Sequence, residues 1–183
     1  MLTLTLPRVA ALVSLSFFAA ACSDTASTAA VDASATAEQT LIIDTHIDIP
    51  FRLHRGYVDV SKATDGGDFD FPLAMAGGLN AAFMSIYIPA AVDEAGDSVA
   101  LADKLIDDME NLANSHPDKF AITRCSADIE AQAARGLISM PLGMENGGPV
   151  AASDEALDHF YQRGIRYITL SHSKSNALSD SSY

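Results

Sequence analysis

Leu41-Ile42-Ile43-Asp44-Thr45-His46-Ile47-Asp48 is the stretch that decides the fold. It opens with three large apolar residues, the short run typical of a buried strand, and passes at once into polar groups two residues apart. Residues at that spacing on a strand share a face, so His46 and Asp48 can reach a common point with an imidazole nitrogen and a carboxylate oxygen. Those atom types suit a metal ion. Asp44 has the same parity and is expected to orient the His46 ring as an acceptor. A lone His-x-Asp is also compatible with a hydrogen-bonded structural histidine, so the pattern needs company.

Downstream, strand-like and helix-like patterns alternate. Ala81 to Ile88 reads as a strand set off by Gly77-Gly78 and stopped by Pro89. Ser98 to Ala113 reads as an amphipathic helix, with Leu101, Leu105, Met109 and Leu112 at helical spacing. A second helix is expected from Ser126 to Arg135, opened by the serine with Asp128 and Glu130 in its first turn. Leu137 to Met144 reads as a third strand, although Pro141 inside it cannot donate to a ladder and suggests a bulge. Ser153 caps a helix running to Gln162 with Gly164 as its stop, and Tyr167 to Ser171 is a fourth strand. This alternation implies a parallel sheet covered by helices, as a (β/α) barrel or a doubly wound sheet. No Gly-rich phosphate loop follows the first strand, which disfavours a nucleotide-binding sheet.

Two further polar groups stand where strands give way to loops, the place where barrel enzymes build their sites. Glu145 follows the third strand and precedes Asn146-Gly147-Gly148, and His172 follows the fourth within Ser171-His172-Ser173. Taken singly, Glu145 reads equally as a rim carboxylate in water and His172 as a loop histidine. Together with His46 and Asp48 they outline one pocket at the C-terminal ends of three strands.

The chain has 183 residues, 49% hydrophobic and 19% charged, the composition of a globular domain. Its net charge of -13 argues against nucleic acid or anionic lipid surfaces as partners, since both require a basic footprint. Residues 1–22 read as a secretory signal: Arg8 precedes an apolar run from Val9 to Ala21, too short to span a bilayer. Ala19-Ala20-Ala21-Cys22 resembles a bacterial lipobox, so lipidation of Cys22 and an exported, periplasmic or outer-membrane location are expected. Residues 23–40 read as a flexible Ser/Thr/Ala tether, and residues 41–183 as the folded domain. After processing, Cys125 would be the remaining thiol, expected buried and inert.

Three segments resemble the motifs of the membrane (renal) dipeptidases, a family of zinc peptidases. Ile43-Asp44-Thr45-His46-Ile47-Asp48 is similar to their opening Asp-x-His-x-Asp. Gly143-Met144-Glu145-Asn146-Gly147 resembles their Gly-x-Glu-Gly/Asn-Gly, and Gly164 through His172 resembles their Gly-x-Arg-Tyr-x-Thr-Leu-Thr-His segment. Asn176 to Ser182 is similar to the continuation in bacterial members. The resemblance implies the N-terminal half of a (β/α)8 TIM-like barrel and hydrolysis of dipeptides, often with a D-residue at the C-terminal position. It implies that His46 and Asp48 bind one zinc, that Glu145 bridges it to a second, and that His172 contacts the substrate and stabilises the tetrahedral intermediate. The family's other two zinc ligands are histidines on later strands, so the chain is expected to be a fragment that ends before them. His54, His116 and His159 end no expected strand and are not candidates. The alternatives are a barrel amidohydrolase acting on N-acyl amino acids, which would open with His-x-His, and a non-catalytic periplasmic binding lipoprotein. Homodimerisation is left open by the sequence.

Overall fold

The computed structural model describes residues 32–151 and 153–183. The expected signal sequence and the expected lipobox at Cys22 lie outside the described residues. At its centre is strand β2 (Leu79–Tyr87), flanked by other parallel strands on both sides. In chain order the elements are helix α1 (Ala33–Glu38), β1 (Ile42–Ile47), α2 (Ile49–Arg55), α3 (Phe71–Ala76), β2 (Leu79–Tyr87) and α4 (Ala90–Glu94). They continue with α5 (Ser98–Ser115), β3 (Phe120–Ile122), α6 (Ser126–Ala133), β4 (Ile138–Met140), β5 (Leu142–Glu145), α7 (Asp154–Arg163) and β6 (Ile165–Thr169).

The sheet has six strands, all paired in parallel. β1 joins β2, β2 joins both β4 and β5, β3 joins β4, and β6 joins β5. The strand expected from Leu137 to Met144 is therefore two strands in line, broken at Pro141. Pro141 has no N–H to offer, but its carbonyl accepts from the Met84 N–H at 2.8 Å, so the ladder to β2 continues past the break. β3, unforeseen in the sequence, pairs with β4 rather than lying between β2 and the strand that follows it.

Alternation along β2 separates the two faces of the sheet. Ala82, Met84 and Ile86 are fully buried on the helix-covered face. Met140, Leu142, Met144 and Phe160 share that core, as do the inward residues of α5: Ala102, Leu105, Ile106, Met109 and Leu112. Leu105, Met109 and Leu112 belong to the stripe read from the sequence; Ala102 and Ile106 widen it, and Leu101 is only partly buried. Each fully buried Ile, Leu or Met contributes about 1.5–3 kcal/mol. On the opposite face of the sheet stand Ser85, Gly143 and Tyr167 in one row and Tyr87, Glu145 and Thr169 in the next. This all-parallel sheet with intervening helices is the N-terminal half-barrel architecture that the sequence implies.

Several local expectations change. Residues 33–38, within the expected tether, form α1, whose first amides are capped by the Asp32 carboxylate. Cys125 is exposed rather than buried: it caps α6, with the Asp128 carboxylate accepting from its N–H and from that of Arg124. The cap of α6 is thus Cys125 and not Ser126. By contrast, Ser153 caps α7 through the Ala156 N–H, and Gly164 ends it at φ 108°, a left-handed value that favours glycine.

Candidate active site

Three donor atoms converge at the C-terminal ends of β1 and β5. His46, the penultimate residue of β1, places Nε2 3.4 Å from Asp48 Oδ1 and 3.3 Å from Glu145 Oε2. One ligand atom from each of His46, Asp48 and Glu145 lies within 4.8 Å of the others. Asp48 stands at the start of α2, where Pro50 in the first turn needs no N–H partner. Glu145 is the last residue of β5, and its side chain is only 15% exposed. Its Oε2 also accepts from the Ser85 hydroxyl at 2.9 Å, and its Oε1 lies 3.2 Å from His172 Nε2.

The four residues singled out in the sequence are thus neighbours, with Glu145 between the His46–Asp48 pair and His172. A carboxylate this enclosed is costly to desolvate unless cationic groups face it. An imidazole and two carboxylates are also the oxygen and nitrogen donors that zinc takes at about 2 Å. The residues present fit such an ion.

What holds the imidazole differs from expectation. Asp44 Oδ1 accepts from the backbone N–H of His46 at 2.9 Å, a local bond two residues apart, and so leaves the ring to another partner. That partner is Tyr167 on β6, whose hydroxyl lies 3.1 Å from His46 Nδ1 and 3.3 Å from the Thr45 carbonyl. Gly143, paired in register with Tyr167, makes room for it: a Cβ there would collide with the ring carbon that bears the hydroxyl. Phe83 packs on the same ring at 5.2 Å between centroids. The clue to Tyr167 in the sequence was its parity with Thr169 on the strand leading to His172.

Asn146, just after β5, has φ 75°, a left-handed conformation that a non-glycine residue adopts only when held. It is held by its buried amide, which donates to the Ile88 carbonyl at 3.0 Å, while its side-chain oxygen accepts from Gly148 N–H and Asn176. This turn carries the chain away just past Glu145. Beside it opens a cavity of about 700 Å³ whose walls include Asp48, Phe51, Tyr87, Glu145 and His172. The Tyr87 ring meets that of His172 edge-on at 5.0 Å. Burial, then the Glu145 and Asp48 charges, raise the pKa of both Tyr87 and Tyr167, so both phenols keep their protons.

Comparison with known proteins identifies the family and the fold. The sequence model of the membrane dipeptidase family, peptidase family M19, matches residues 31–183. The dipeptidase ataJ of Aspergillus terreus is 30% identical over 152 residues, which cover 76% of this chain and 37% of that protein. Among solved structures, a metallopeptidase described as dipeptidase AC superposes with a TM-score of 0.66 at 23% identity, over 76% of this chain and 45% of that one. A metallopeptidase from Rhodobacter sphaeroides, liganded with a phosphinate mimic of the dipeptide L-Ala-D-Ala, gives 0.65 at 21% identity, over 74% and 46%. The chain spans less than half the length of these relatives.

Proposed function

The chain belongs to the membrane dipeptidase family (peptidase family M19), and from that premise we propose that its protein hydrolyses dipeptides at a site holding two zinc ions. The observation that carries this reading is the convergence of His46 Nε2, Asp48 Oδ1 and Glu145 Oε2 within 4.8 Å, with His172 against the other oxygen of the same glutamate. The two oxygens of Glu145 point to different neighbours, which suits a carboxylate shared between two cations. Zinc bound there would supply a water of lowered pKa and polarise the scissile carbonyl.

The chain's own residues supply the rest. His46 is oriented by the Tyr167 hydroxyl, which holds the ring so that Nε2 faces Asp48 and Glu145. Ser85 fixes the rotamer of Glu145. His172 lines the cavity with the Tyr87 ring edge-on against it and Nε2 3.2 Å from Glu145 Oε1. Turned from that carboxylate to a bound substrate, its N–H would favour the tetrahedral state. The L-Ala-D-Ala mimic bound by the Rhodobacter relative supports small dipeptides with a C-terminal D-residue as substrates. The test is hydrolysis of L-Ala-D-Ala by the full-length protein, lost on chelation and restored by zinc, with two zinc ions per chain. A rate that chelation leaves untouched sinks the proposal.

The Arg8 to Cys22 pattern supports export with a lipid anchor on Cys22. Cys22→Ser should move the protein from the membrane to the soluble fraction, and identical partitioning of parent and variant would rule the anchor out.

A further inference from the structure

The cavity beside Glu145 carries a charge that the proposed reaction does not use. Asp48 stands just before α2 without a side-chain cap bond, and Phe51, Arg52 and Arg55 follow it at i+3, i+4 and i+7, one face of the helix; all four line the cavity. The two guanidinium groups have different surroundings. Arg52 donates to the Phe69 carbonyl at 3.2 Å and to the Gly66 carbonyl at 2.6 Å, tying down the loop before α3. Arg55 makes no side-chain hydrogen bond or ion pair among the described residues. Of the other described lysines and arginines, only Arg135, in the turn after α6, shares that state. The chain has 24 acidic residues against 11 basic ones, so an acidic partner is easily found on its surface. Arg55 instead lines a cavity walled by the rings of Phe51 and Tyr87.

We propose that Arg55 is a specificity-determining residue that binds a carboxylate of the substrate. The inference rests on the dipeptidase reading and deepens it. At 1.5 Å per residue, Arg55 stands about 10 Å along α2 from Asp48. The carboxylate of an extended dipeptide lies about one residue, roughly 3.5 Å, beyond its scissile bond. With that bond at the Asp48–Glu145 end and the carboxylate directed along α2, the carboxylate comes within the reach of the Arg55 side chain. The planar fork of donors matches a carboxylate in a way that a lysine does not. Two sources offer this chemistry: the terminal carboxylate of any dipeptide, and the side chain of an acidic residue. A basic residue in the last turn also suits the helix dipole, but that role is indifferent to substrate.

Steady-state kinetics of the full-length protein separate these cases, using L-Ala-D-Ala, L-Ala-D-Asp and L-alanyl-D-alaninamide with the parent, Arg55→Gln and Arg55→Lys. Arg55→Gln should lower kcat/KM roughly ten- to a hundredfold through KM, for substrates bearing the contacted carboxylate. If that group is the side chain, the preference for L-Ala-D-Asp over L-Ala-D-Ala collapses. If it is the terminal carboxylate, both dipeptides suffer alike and the amide is insensitive. Arg55→Lys should recover part of the loss in either case. Unchanged KM for every substrate in Arg55→Gln, or a loss confined to kcat, overturns the assignment while the dipeptidase reading stands. Failure of the parent to hydrolyse any dipeptide overturns both.

Discussion

β1 and β5 each deliver a side chain to the same point, yet they are built in opposite ways. β1 is exposed at four of its six positions and, among the described residues, pairs only with β2. β5 is buried at three of its four positions and is bonded on both sides, to β2 and to β6. Glu145 is therefore placed by the frame itself: the sheet, the Ser85 hydroxyl and the left-handed turn at Asn146 leave its carboxylate little choice. His46 is placed by side chains, chiefly the Tyr167 phenol reaching across from β6. Two routes to one geometry should fail in different ways when disturbed.

The largest effect should come from Glu145→Gln, which keeps the shape of β5 and removes the charge. Turnover of the full-length protein should fall by more than about a hundredfold, beyond the usual cost of losing a group that only supports a metal ligand. Zinc content should fall with it, while the melting temperature of the metal-free protein stays near that of the parent. Full zinc content and full rate in this variant would remove Glu145 from the site.

Gly143→Ala should come next, because it strikes both constructions at once. The added methyl occupies the place of the Tyr167 ring, so calorimetry should show a loss of about 1–3 kcal/mol from overpacking. Zinc affinity should drop as well, since the displaced phenol no longer orients His46. A variant as stable and as avid for zinc as the parent would mean that Tyr167 does not need this space.

Tyr167→Phe sharpens the contrast by deleting only the hydroxyl. Zinc affinity measured by competition with a chelator should weaken about tenfold, the usual scale for a group behind a ligand. Stability should change by about 1 kcal/mol or less, because the ring and its packing on Phe83 remain. An undiminished affinity would return the orienting role to some other neighbour.

The smallest effect lies further out, where Asp70 caps α3 by accepting from Leu73 N–H and Thr64 N–H. These bonds, the Leu73 one foremost, hold its carboxyl below the usual value of 3.8. A depressed folded-state pKa means that the stabilisation is complete above the unfolded value and fades as pH falls below about 4. The difference in melting temperature between the parent and Asp70→Asn should shrink across that window, and a difference constant with pH would contradict it.

The sequence disclosed those elements whose periodicity runs long enough to be seen. β2, α5 and α7 fall near their expected bounds, because alternation, an apolar stripe, and the Ser153 and Gly164 caps are all local signals. α2, α3, α4 and β3 escaped, since pieces of three to seven residues gain their order from tertiary contacts rather than from their own pattern. At the site, His46, Asp48, Glu145 and His172 could be picked out because each lies at or just beyond the C-terminal end of an expected strand. The partner of the imidazole could not, because Asp44 was nearer in sequence and Tyr167 lies 121 residues away. The exposure of Cys125 was equally hidden: residue type favours burial, but its place at a helix cap sets it in water.

The span of that phenol–imidazole bond also orders events in time. Contacts between residues far apart in the chain close late, because each carries the entropy of the loop it completes. β1 can settle against β2 before β6 has docked, and during synthesis His46 and Asp48 emerge long before Tyr167. Until β6 arrives, the imidazole of His46 is free to turn about its own bonds. An ion meeting the nascent chain at that stage would find an unoriented ring, so maturation of the proposed metal site would wait for the docking of β6.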